Sequence, residues 1–164
     1  LTLGALNGSL GASEYLKTIH GKVEGPIPHL NIELEMSVQR LCLEGIKQGI
    51  IKSAHDLSDG GLAVNIAESI MASKNNLGAE IHINRKLRDV EMLFGECQSL
   101  IVVTISEESL HDLVILAQKD DVHTETIGRV TNSGSLVIND LINLDRDKLE
   151  DVYNNTLERI LSIH

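Results

Sequence analysis

Two adjacent glycines, Gly60-Gly61, stand where an apolar strand-like run gives way to a helical repeat, and this junction constrains the fold more than any other feature of the chain. Ahead of it lies the run Gly49-Ile50-Ile51; behind it Leu62, Ala63, Ile66, Ala67, Ile70 and Met71 recur at the spacing of one helix face. A strand, a tight turn and a helix in succession form the basic unit of α/β domains. The segment across the junction reads Ser53-Ala54-His55-Asp56-Leu57-Ser58-Asp59-Gly60-Gly61-Leu62-Ala63. It places two carboxylates, an imidazole and a hydroxyl where a helix begins. Backbone N–H groups lack partners at that point and the helix dipole favours an anion, so the turn suits a phosphate or a magnesium ion.

The rest of the chain is consistent with that frame. Residues 1 to 30 hold both prolines and many glycines and are expected to be turn-rich, with one short strand or helix near Glu14 to Ile19. Asn31 is a fitting N-cap for a helix whose stripe is Leu34, Val38, Leu41, Cys42 and Ile46, ended by Gly49. Ala79-Glu80-Ile81-His82-Ile83 alternates like a strand, Val90 to Phe94 suits a short helix, and Leu100 to Ile105 reads as a buried strand. A helix from Ser106 or Glu107 follows, then strand candidates at His123 to Val130 and Ser135 to Ile138. Leu149, Val152, Tyr153, Leu157 and Ile160 make a closing amphipathic helix capped by Asp145. The order predicts a single α/β domain over 1–164, an α/β sandwich with a mixed sheet.

Lys plus Arg number 14 and Asp plus Glu 24, for a net charge of −10, and no basic cluster follows a phosphate backbone. Nucleic acid is therefore not an expected partner. No apolar stretch reaches membrane-span length and no signal peptide opens the chain, so a cytoplasmic protein without a membrane partner is expected. The chain opens without methionine inside a glycine-rich segment, which suggests a piece of a longer polypeptide. Cys42 and Cys97 have neither C-x-x-C spacing nor a histidine pair beside them and read as reduced packing residues.

Asp56 and Asp59 are three residues apart across the turn and could converge on one magnesium ion, while Gly60 and Gly61 let a phosphate approach the backbone. The alternative is structural: Ser58 or Asp59 caps the helix and Asp56 bonds turn amides. His55 could serve as an acid or base near neutral pH, or as a hydrogen-bonded structural histidine. Glu96, in Gly95-Glu96-Cys97-Gln98, stands at a strand entrance where ligand groups are often placed, or satisfies local amides. The opening Asn7-Gly8-Ser9-Leu10-Gly11-Ala12-Ser13-Glu14 could form an anion-binding nest through Ser13 and Glu14, or a plain glycine turn.

Taken together these segments resemble the carboxy-terminal type of domain of the aminoimidazole ribonucleotide synthetase superfamily, within it most closely the last such domain of the phosphoribosylformylglycinamidine synthase family. Leu10-Gly11-Ala12-Ser13-Glu14-Tyr15-Leu16 is similar to its LGGSEYL stretch. The turn His55 to Ala63 is similar to its HD-x-S-x-GGLA motif, followed by the usual glutamate at Glu68, and Leu93-Phe94-Gly95-Glu96 is similar to its LFGE. Selenophosphate synthetases and a hydrogenase-maturation relative carry similar turns and are the alternative within the superfamily. Those would call for a reactive cysteine or a cysteine tail, whereas the chain closes on Leu161-Ser162-Ile163-His164. The family places an arginine shortly after LFGE, and this chain has Leu100 there, so no anion contact through that arginine carries over.

The resemblance implies an ATP-dependent C–N ligase that converts formylglycinamide ribonucleotide and glutamine-derived ammonia to formylglycinamidine ribonucleotide in purine synthesis. It implies ATP or ADP with magnesium, held mainly by a partner domain absent from this chain. It also implies docking to the remaining domains of the synthase and, in small forms of the enzyme, to a glutaminase subunit and a small accessory subunit. The second-half copy of the turn is ligand-facing in that scheme, without a catalytic residue. The isolated domain is expected to be inactive; the alternative is a non-catalytic nucleotide-holding and domain-docking module.

Overall fold

Asn31 begins the longest helix of the first half as its side chain suggests, with Oδ1 accepting from the Leu34 N–H at 3.1 Å. A computed structural model describes residues 1–162 of the chain; Ile163 and His164, where a cysteine tail would end, lie outside the described residues. The chain folds into two compact units, 1–65 with 84–127 and 66–83 with 128–164.

In the first unit, strand β1 is Thr2–Leu3, and helices α1 (Glu14–His20) and α2 (Ile32–Lys47) precede strand β2 (Ile51–Asp56). Helix α3 (Gly61–Ala72) begins in this unit and carries the chain into the second, where strand β3 is Gly78–Ile81. The chain returns through α4 (Asp89–Phe94), β4 (Ile101–Ile105), a 3-10 turn at Glu107–Ser109, α5 (Leu110–Lys119) and β5 (Thr124–Glu125). The four strands of this unit form an antiparallel sheet in the order β2-β4-β1-β5. Leu3, Val38, Leu41, Ile51, Val103, Leu113 and Leu116 are buried together in its core, with Leu1, Leu34, Ile101 and Ile105 packed against them. With so few aromatic residues, branched aliphatic side chains fill this space, and their fixed rotamers pack without a large entropy cost.

The α2 stripe faces the core as expected at Leu34, Val38, Leu41 and Cys42 and departs from expectation only at its end. Ile46 is half exposed, whereas Gly45 is buried, because a Cβ there would come within 2.6 Å of Ile51 Cδ1. Strand β2 also runs further than the turn motif suggests. His55 and Asp56 pair with Val102 and Ile101 as ladder residues, so the turn proper is only Leu57 to Gly60. The ladder wins there because β4 offers a continuous partner.

The second unit contains β6 (Gly128–Thr131), β7 (Ser135–Ile138), β8 (Ile142–Asp145) and α6 (Arg146–Leu161) besides β3. Its sheet has the order β6-β3-β7-β8 and is mixed, since β3 runs parallel to β7 while the other pairs are antiparallel. The α/β class and the mixed sheet are as expected, but the strands divide between two sheets. The single strand expected over His123 to Val130 is two, β5 and β6, one in each sheet, separated by Thr126 and Ile127. Strands β1 and β8 were not expected. β1 is two residues long, and β8, although Ile142-Asn143-Leu144-Asp145 alternates, is only four residues long and follows directly on a turn. Helix α6 starts after Asp145 as expected, but Val152, Tyr153, Leu157 and Ile160 are all exposed.

Candidate functional site

Three of the sequence motifs meet in the first unit. Glu96 lies in the loop before β4 and pairs with Ser9 as an antiparallel bridge, its N–H donating to the Ser9 carbonyl at 2.8 Å. Its carboxylate Oε1 accepts from two backbone donors, Glu14 N–H and Gly60 N–H, each at 2.9 Å. One oxygen thus joins the first amide of α1, the glycine turn after β2 and the segment leading into β4. Both donors belong to backbone that lacks a helical partner, which is the position an anion favours.

The glycines explain how closely the segments approach. Gly61 has φ +72°, and a Cβ on it would lie 2.7 Å from the Phe94 carbonyl carbon and 2.8 Å from the Gly95 oxygen. Only glycine combines that backbone conformation with that clearance. Across the same junction Tyr15 stacks on Phe94, ring centroids 5.3 Å apart and planes 19° apart.

Asp56 ends β2 with its side chain 78% exposed, and its backbone carbonyl accepts from Asn65 Nδ2 at 2.7 Å. Leu57 N–H donates to the Leu100 carbonyl at 2.9 Å. Ser58 and Asp59 are exposed in the turn, and the Gly61 N–H donates to the Ser58 carbonyl. Asp56 and Asp59 are therefore both exposed at the turn, and exposed carboxylates are the kind of oxygen ligand that a hard cation takes beside phosphate oxygens and water. Among the described residues no group of three or more His, Cys, Asp or Glu forms a metal cluster.

His55 is partly exposed, with Nδ1 2.9 Å from the Asp56 carbonyl oxygen and 3.0 Å from Asn65 Nδ2. Ser13 is buried and caps α1: its Oγ accepts from the Leu16 N–H at 3.3 Å and donates to the Leu10 carbonyl at 2.7 Å. The Glu14 carboxylate holds Lys17 at 2.7 Å; that hydrogen bond raises the Lys17 pKa, and the charge of Asp59 adds to the rise. Lys17 thus brings a cation toward the acidic turn from α1. Glu68 belongs to the second unit. Leu100 is 2% exposed, so this position serves the core and presents nothing to a ligand.

Asn65 was not picked out from the sequence. It is 2% exposed on α3, and its amide fixes both the Asp56 and the His55 carbonyls, the latter at 3.3 Å. The available signal was an amide at a helical position flanked by Leu62, Ala63, Ile66 and Ala67, where a polar side chain survives only with partners.

The family model described as AIR synthase related protein, C-terminal domain, matches residues 2–140, and all three converging motifs lie inside that span. The chain belongs to this family. Among curated relatives within it, the phosphoribosylformylglycinamidine synthase subunit PurL of Alkaliphilus metalliredigens is 35% identical over 97% of this chain, and that of a Nostoc strain 38% over 98%. The subunit PurL of Moorella thermoacetica is 40% identical over 79% of the chain. The chain spans about a fifth of the length of these relatives, 22%, 22% and 17% respectively. Its fold is shared by Thermotoga maritima PurL complexed with FGAR, with a TM-score of 0.70 and 23% identity over 90% of this chain and 27% of that one. The structure of PurLQS from the same organism gives a TM-score of 0.69 at 21% identity, covering 90% of this chain and 25% of that one.

Proposed function

We propose that this chain is the last carboxy-terminal-type domain of a phosphoribosylformylglycinamidine synthase, and that its Asp56 turn faces a magnesium-bound nucleotide. The convergence of the SEYL-like, HD-x-S-x-GG-like and LFGE-like segments on the Glu96 carboxylate carries this reading. Relatives of 35 to 40% identity that carry the synthase name support it, as do Thermotoga maritima PurL structures complexed with ATP and with ADP.

In the whole enzyme, ATP would activate the amide oxygen of formylglycinamide ribonucleotide as an iminophosphate, and ammonia would displace phosphate. The role of this domain in that scheme is to bind and orient. Asp56 and Asp59 would share a magnesium ion with nucleotide phosphates, Ser58 would add a hydroxyl, and Lys17 would offset charge at the same turn. No catalytic residue is assigned to the chain. Exposed Val23, Ile27, Leu30 and Ile32 in and beside the loop after α1 favour a docking role as well, since sibling domains would cover such residues. The remaining domains of the synthase are the expected partners, with a glutaminase and a small accessory subunit where the enzyme is of the small form.

The experiment is release of inorganic phosphate from ATP by the full-length polypeptide that carries this chain, given ammonia and formylglycinamide ribonucleotide. Release that requires both co-substrates and is absent from residues 1–164 alone is the expected result. A full-length polypeptide that turns over selenide, or none of these substrates, would overturn the reading.

A further inference from the structure

We infer that Glu96 is a positioning residue: its carboxylate is the internal anion that holds the Asp56 turn and α1 in register, and it does not contact ligand. Gly60 and Gly61 both have positive φ, +82° and +72°, so the chain turns through two consecutive left-handed residues between β2 and α3. Such a turn has little local restraint and needs contacts from elsewhere to keep one geometry. Three contacts do so. The Leu57 N–H is tied to Leu100 just before β4, the Asp56 carbonyl to buried Asn65, and the Gly60 N–H to Glu96 Oε1. The first two fix where Asp56 leaves the sheet. At the far end, where Ser58 and Asp59 are presented, the local Gly61 N–H bond to the Ser58 carbonyl closes the turn and the Glu96 carboxylate ties it to the rest of the unit.

The same oxygen also accepts from Glu14 N–H, at 2.9 Å, so the turn cannot shift without α1 and its Lys17. Bonds from backbone N–H groups to a carboxylate are about twice as strong as neutral ones, and two of them here converge on one atom. The arrangement also reassigns the glycine turn. The Gly60 amide, which could have cradled a ligand phosphate, already has an anion of the protein's own, and the ligand-facing groups are left as Asp56, Ser58 and Asp59. This rests on the proposed reading only for the identity of the ligand.

The test compares Glu96→Ala with Glu96→Gln in the full-length polypeptide. The glutamine amide retains a carbonyl oxygen that can accept both N–H groups, whereas alanine retains none. Amide hydrogen exchange over residues 10–16 and 57–62 is read beside that of β4. In Glu96→Ala both segments should exchange about tenfold faster or more, together, with β4 unchanged, and Glu96→Gln should restore most of the protection. The thermal shift given by magnesium-ADP should fall in Glu96→Ala and recover in Glu96→Gln. Acceleration of one segment without the other, or of β4 equally, overturns the coupling. Glutamine that restores the protection but not the magnesium-ADP shift overturns it too, because the charge itself would then be required at the ligand. An unchanged magnesium-ADP shift despite lost protection also counts against it. If the wild-type protein gives no shift with any nucleotide, the ligand reading fails, and the exchange data still decide the inference.

Discussion

Replacing Gly61 by alanine separates the backbone cost of the turn from the cost of its contact with the LFGE-like segment, because the chain supplies its own controls. Gly21 and Gly49 have φ +65° and +73°, close to the +72° of Gly61, yet a Cβ on either meets nothing within 4 Å. Alanine at those two positions should cost only the left-handed conformation, about 1 to 2 kcal/mol. At Gly61 the new Cβ would lie 2.7 Å from the Phe94 carbonyl carbon and 2.8 Å from its Cα. Both are backbone atoms and cannot rotate away. Overpacking of this kind adds about 1 to 3 kcal/mol, for a total of about 2 to 5 kcal/mol. Urea denaturation followed by far-ultraviolet circular dichroism measures all three variants against the wild type, with the midpoint read at constant slope. A Gly61→Ala cost no larger than those of Gly21→Ala and Gly49→Ala would refute the argument that the glycine pair exists to seat the turn on Phe94 and Gly95.

Two other outcomes follow from the packing. In the second unit the Arg146 guanidinium donates to the Met71 and Ser73 carbonyls at 3.2 and 2.8 Å, to the Asn75 carbonyl, and to Glu150 at 2.6 Å. Arg146→Met should cost about 2 to 3 kcal/mol by thermal melting, with Arg146→Lys intermediate, since an ammonium cannot fork across several carbonyls. Burial raises the thiol pKa of both Cys42 and Cys97, with the Asn7 amide and the Arg85 charge opposing the rise at Cys97. Both should therefore react slowly with a disulfide reagent at pH 8 until the protein is unfolded. The sign of the linkage is fixed as well. Above about pH 8.5 the unfolded thiols lose protons that the folded ones keep, so stability should fall as pH rises through that range.

How much of this was legible in the sequence depends on how local each cause is. Asn31 as a helix cap, the short α4 and the helix after Gly61 rest on neighbouring residues, and each was readable. The division into two sheets was not, because it depends on β3 choosing β6 and β7 as partners across about fifty residues, and no periodicity records such a choice. The extent of β2 was missed for the same reason: His55 and Asp56 look like turn residues until β4 is placed beside them. At the site, the residue types were apparent, while their roles were not. Glu96 and Ser13 read as ligand candidates, yet their side chains are engaged with internal amides that only the folded chain brings within reach. Asn65 was hidden because a single amide on an apolar helix face gives no sign of which carbonyls it will find.

The most direct test of the central claim is thermal melting of this chain with magnesium-ADP, magnesium-ATP and formylglycinamide ribonucleotide, each with wild type and with Asp56→Ala. A ligand at a hundred times its Kd stabilises the folded state by about 2.7 kcal/mol, which for a chain of this size is a rise of about 5 to 10 °C. The account predicts such a rise with a magnesium nucleotide, and its loss in Asp56→Ala without loss of the fold. A rise that survives Asp56→Ala would contradict the claim that the Asp56 turn is a ligand-facing site.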